Sequence, residues 1–112
     1  MDKAMSGVQN TKVVDVVTHD PKTDEYALIM VETRAWDGSD ERLQQISEKV
    51  ENYVSFALYG QMTKLYPESL GKRIRLQLDC ESSPDSKTAR FLEGIRKRLE
   101  EKGFRFVVCA DN

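Results

Sequence analysis

The sequence predicts a two-layer α/β (α+β) sandwich, a four-stranded mixed sheet with two helices packed on one face. Three observations predict it. Short β-branched or alternating runs and longer runs with three- and four-residue apolar spacing follow one another in the order β-β-α-β-α-β. A tight turn joins the first two strands, which makes them an antiparallel hairpin. Each strand-helix-strand unit requires a right-handed crossover, so a sheet that progresses in one direction carries both helices on the same side. At 112 residues, 39% hydrophobic and 32% charged, the chain suits one core and is too apolar for disorder. Residues 1 to 11 read as a flexible N-terminal tail and 12 to 110 as a single α/β domain.

The first strand is "KVVDVVTH", 12 to 19, rich in β-branched residues. Its alternation assigns Val14 and Val16 to the helix side and turns Val13 and Val17 away. "DPKTD" supplies the turn, with Pro21 fixing φ and Asp20 and Asp24 able to bond nearby amides. "EYALIMVETR", 25 to 34, is the second strand. Leu43, Ile46, Val50, Tyr53, Val54, Ala57 and Leu58 then form one helical stripe. The other side of that helix receives Arg42, Gln45, Glu48, Lys49 and Asn52. Gly60 ends or loosens the helix, and "QMTKLY" adds a short turn before Pro67.

"RIRLQLDC", 73 to 80, alternates most cleanly, with Ile74, Leu76, Leu78 and Cys80 inward. Ser83 before Pro84 signals the start of the last helix, whose inner stripe is Ala89, Leu92, Ile95 and Leu99. Gly103 suits its C-terminal cap. "FRFVVCA" closes the sheet with Phe104, Phe106 and Val108 inward.

Several functions are disfavoured by what the chain contains. A net charge of −2 gives no general attraction to phosphate backbones or acidic membranes. No apolar run approaches the roughly 18 residues of a membrane span, and "MDKAMSGVQN" lacks a secretory apolar segment. Cys80 and Cys109 form no zinc pattern and fall in opposite strand phases, which favours a reducing, cytoplasmic setting. There is no "GxGxxG" and no Walker loop. His19 is the only histidine and reads as a turn residue; Asp15 on the same strand face is placed to orient it, but no nucleophile is indicated nearby. Asp37, Ser39, Glu41 and Glu48 fit calcium-loop positions, but Arg42 stands where the turn needs Gly. Arg73, Arg75 and Arg105 share the open sheet face without the aromatic platform of RNA-binding sheets. No cofactor, metal, nucleic acid or membrane is therefore expected.

Two surfaces remain. On the open sheet face Val13, Val17, Ile29, Val31 and Val107 are apolar where water calls for polar residues. Either the tail covers them or they form an interface with a second copy or another protein. The other surface is the edge where the parallel strands end, which gathers Arg34, Trp36, Asp37, Asp40, Glu41 and Asp79, with Ser82, Ser83 and Asp111 near. Asp37 or Ser39 suits a helix cap, and Asp40 and Glu41 suit a first helical turn. In the alternative, Trp36 is a binding platform and the acids engage a basic partner or a cation. The leading reading is a non-catalytic protein-binding or assembly module working through the open face. The rival is a small enzyme using Asp37, Asp40 or Asp79, with a divalent cation.

"VVDVVTHDPKTDE", "WDGSDE", "YPE" after the first long helix and the final "GFRF" come in an order and spacing that resemble a known family. It is a family of small, single-domain bacterial proteins classed as a domain of unknown function, and the resemblance covers residues 10 to 108. It implies a bacterial, cytoplasmic protein and transfers no catalytic residue or ligand.

Overall fold

The turn between the first two strands fixes the register of the sheet. In the computed structural model, which describes residue 8 and residues 14–110, Lys22 donates its amide to Asp20 Oδ1 and Asp24 donates its own to the Asp20 carbonyl. Asp24 takes a positive φ of 61°, a conformation that Asp tolerates better than most side chains. Strand β1 (Val16–Asp20) therefore folds back antiparallel on β2 (Glu25–Glu32). After α1 (Asp40–Leu58), α2 (Gln61–Leu65) and a 3-10 turn at Pro67–Ser69, β3 (Ile74–Cys80) lies parallel to β2. After α3 (Ser86–Glu101), β4 (Arg105–Ala110) lies parallel to β3, giving the order β1-β2-β3-β4. The element order and the mixed sheet agree with the sequence, with α2 as a short addition.

Ser39 caps α1 by accepting from the Arg42 amide, and Asp85 caps α3 by accepting from the Thr88 amide. Gly60 is left-handed at φ 95°, which separates α1 from α2. Gly103, also left-handed, lets the Phe104 amide reach the Leu99 carbonyl and turns the chain into β4. Leu28, Met30, Ile46, Tyr53, Leu76, Leu78, Ile95 and Phe106 form the core between the sheet and the helices.

Five expectations are corrected. The phase of β1 is reversed: Val17 stands opposite Leu28 and packs on the core, while Val16 stands opposite Ile29 and is 43% exposed on the open face. Valine occupies both phases of this strand, so composition does not choose between them; pairing register does. On α1, Arg42 and Lys49 are buried rather than solvated, each held by a carboxylate or carbonyl partner. On α3 Ala89 is exposed, and Thr88 with Leu92, Ile95 and Leu99 forms the inner stripe. The cap of that helix is Asp85, two residues after Ser83. His19 bonds Asp24 and leans on Tyr26 rather than turning to Asp15.

Asp15 instead ends the hairpin. Among the described residues the pairing of β1 begins at Val16 opposite Ile29, so no strand residue pairs with Met30–Glu32 of β2 on that side. There the Val31 amide donates to Asp15 Oδ2, and the Val31 carbonyl accepts from the Val8 amide. Val8 is fully buried. Val13, Asp111 and the rest of the tail lie outside the described residues.

Candidate functional site

On the open face the side chains form rows across the strands. Thr18, Ala27, Arg75 and Arg105 make one row; Val16, Ile29, Gln77 and Val107 make the next; Val31, Asp79 and Cys109 make the third. Val107, Ile29 and Val31 thus lie on this face as the sequence predicts, with Val16 in the place expected for Val17.

The first row is cationic but internally compensated. Glu25 is buried at its end, accepting from Arg75 Nη1 at 2.9 Å and from Arg105 Nη1 at 2.8 Å. Burial disfavours the Glu25 carboxylate, but Arg105, then Arg75 and Thr23, outweigh that and hold its carboxyl below the ordinary value of 4.5. Arg75 also reaches Asp20 at 3.2 Å. These partners occupy the guanidinium groups that would otherwise contact phosphates.

The third row borders a shallow cleft of about 430 Å3 that includes Val31, Glu32, Gln77, Asp79, Glu81 and Cys109. Asp79 accepts from Gln77 Nε2 at 2.8 Å. Burial, then the Asp79 charge, raises the Cys109 thiol pKa, so this exposed thiol is a poor nucleophile near neutral pH.

The Trp36 edge lies on the other side of the sheet. Trp36 packs against the core, donates Nε1–H to the Ser82 carbonyl at 2.9 Å and carries the Arg42 guanidinium 5.5 Å from its ring centre. Arg42 also donates to the Ala35 carbonyl, and Arg34 grips the buried Glu32 through Nε at 2.9 Å and Nη2 at 2.7 Å. The Glu32 hydrogen bond raises the Arg34 pKa further, which keeps the guanidinium charged. Alternation with Leu28 and Met30 puts Glu32 in the inward phase, but its pairing with Arg34 and the inward turn of Arg42 have no signal in the residue pattern.

The acids of "WDGSDE" are engaged in starting the helix. Asp37 Oδ1 accepts the Ser39 amide at 2.9 Å, and Ser39 contacts hold its carboxyl below the ordinary range. Asp40 pairs with Lys87 at 2.8 Å, which lowers its pKa and ties the two helix starts together. Glu41 is exposed beside them. The structure thus brings Arg34, Trp36, Asp37, Asp40 and Glu41 together but sends Asp79 to the opposite face. Ionised capping acids offer no proton for general acid chemistry. Among the described residues, no cluster of three or more His, Cys, Asp or Glu is arranged to hold a metal ion, and no helix is long and apolar enough to cross a membrane.

No curated protein and no solved structure matches the chain. Residues 5–112 match the model of a family of unknown function, DUF6572, and the chain belongs to that family.

Proposed function

We propose that the protein is a non-catalytic assembly module of the bacterial cytoplasm that self-associates through its open sheet face. The observation that carries this reading is the order of the three rows. A mainly apolar row, Val16–Ile29–Gln77–Val107, lies between a row bearing Arg75 and Arg105 and a row bearing Asp79. A second copy turned over about a two-fold axis along this row sets valine on valine, isoleucine on isoleucine and the Gln77 amide on its equivalent. The same operation brings each arginine row, in which Arg105 stays 48% exposed while bonded to Glu25, over the other copy's Asp79 row, so unlike charges face each other across the joint. Two free cysteines accord with a reducing compartment.

Ile29→Lys tests the reading, because it places a charge in the middle of the apolar row. Light scattering across a dilution series is expected to show loss of the face-to-face joint with an unchanged circular dichroism spectrum. An association state identical to that of the wild type contradicts it. Asp37→Asn with Asp40→Asn, which alters the edge acids alone, is expected to leave association untouched.

A further inference from the structure

The two edges of the sheet are finished differently. At the β1 edge the strand is five residues long, ends in His19 and Asp20 and runs into Pro21. The part of β2 that it leaves uncovered is closed by the Asp15 carboxylate and the Val8 amide. Short length, charge, proline and capping side chains are the usual means of keeping an edge from pairing. At the β4 edge the strand opens on Arg105, but "FVVCA" after it has no charge, proline or glycine, and among the described residues no strand pairs with its outer side. Beside it on the helix face, Pro84, Leu92, Phe106 and Val108, together with the paired Glu93 and Arg96, line a groove of about 320 Å3. Val108, although inward in phase, is 37% exposed where the sheet stops.

We propose that β4 is a docking edge for a second copy of this chain. The two β4 strands pair antiparallel about a two-fold axis normal to the sheet, giving one eight-stranded sheet. Residues opposite one another must share a face, so the axis passes through a residue and not between two. An axis at Val107 sets Val107 against its equivalent, Phe106 against the second copy's Val108, and Arg105 against the second copy's Cys109. Arg105, 48% exposed, then lies beside the row that holds the second copy's Asp79. An axis at Val108 instead sets Arg105 opposite residue 111, an aspartate outside the described residues, so a cross-link from position 105 to Cys109 is what separates the two registers. With the axis at Val107 the apolar rows of the open faces also run end to end. The joint does not depend on the open faces pairing. If both operate, their two-fold axes are perpendicular and close a tetramer.

The register makes a cross-linking test. Arg105→Cys meets the native Cys109 of the second copy across the joint. Cys109 of its own strand is about 13 Å away and out of disulfide reach. Copper-catalysed oxidation is expected to give a covalent dimer on a non-reducing gel from Arg105→Cys and none from the wild type, whose Cys109 thiols are offset. Light scattering should find Ile29→Lys, altered only on the open face, still at twice the chain mass, and Val108→Lys without the edge joint. Arg105→Cys that stays a single chain on the gel overturns the proposal. So does an Ile29→Lys protein that falls to one chain mass, which would leave the open face as the only joint. An Ile29→Lys protein that keeps the wild-type mass overturns the open-face reading and leaves the edge standing.

Discussion

Lys49 Nζ lies 2.9 Å from Asp15 Oδ1, and both side chains are closed off from water, Lys49 completely. The pair sits where β1 begins and α1 crosses the sheet, with Tyr53 bridging the Asp15 amide and the Ile29 carbonyl. Through it a helix, the segment before β1 and the uncovered half of β2 hold one another.

Removing one member strands a buried charge, which typically costs about 3–5 kcal/mol. Lys49→Met is expected to lose stability of that order in urea unfolding. Lys49→Met with Asp15→Asn should recover part of it, since no unpaired charge then remains. A single substitution costing under about 1 kcal/mol would show that the pair is solvated and not structural.

Glu25 makes the open face sensitive to acid. Its carboxyl is held below 4.5 in the folded chain, so its stabilising contribution is complete above that value and is lost as pH falls through the folded value. Glu25→Gln is expected to cost about 2 kcal/mol at pH 7 and to flatten the fall in stability below pH 4.5. An unchanged acid limb in denaturant titrations would remove Glu25 from this role.

Cys80 acts at the other end of the scale. Burial, helped by the Glu32 and Asp79 charges, pushes its thiol up to about 11 from 9.0. The folded chain keeps a proton that the unfolded chain releases, so stability is intact below pH 9 and declines between 9 and 11, by on the order of 3 kcal/mol. Cys80→Ala should lower stability at neutral pH and reduce this alkaline slope. A slope equal to that of the wild type would mean other groups, Tyr53 first, account for it.

The two caps should be separable from the surfaces. Ser39→Ala and Asp85→Ala are each expected to cost about 1 kcal/mol, read as a shift of the urea midpoint, without altering association. Loss of association in Ser39→Ala alone would instead give the Trp36 edge a part in the joint.

Much of this fold is legible in the residues. Ile74, Leu76, Leu78 and Cys80 alternate without ambiguity, and the structure places them inward as expected. The helix start at "WDGSDE" follows from the chemistry of capping, and Ser39 performs it. The phase of β1 is not legible, because Val14, Val16 and Val17 are chemically equivalent and only the turn's register separates them. Nor are the buried Lys49, Arg42, Glu25 and Glu32, since a charge is welcome inside only when a partner distant in sequence meets it. The site divides in the same way. Proximity along the sheet edge suggests that Asp79 joins Trp36, and the strand's alternation decides that it does not.

Both proposed joints require that this chain assembles through its sheet. Light scattering on the wild type and Ile29→Lys, over a hundredfold dilution, tests it most directly. The expected result is a wild type larger than one 12.9 kDa chain and an Ile29→Lys protein that has lost one joint. A wild type that remains a single chain at every concentration would contradict it.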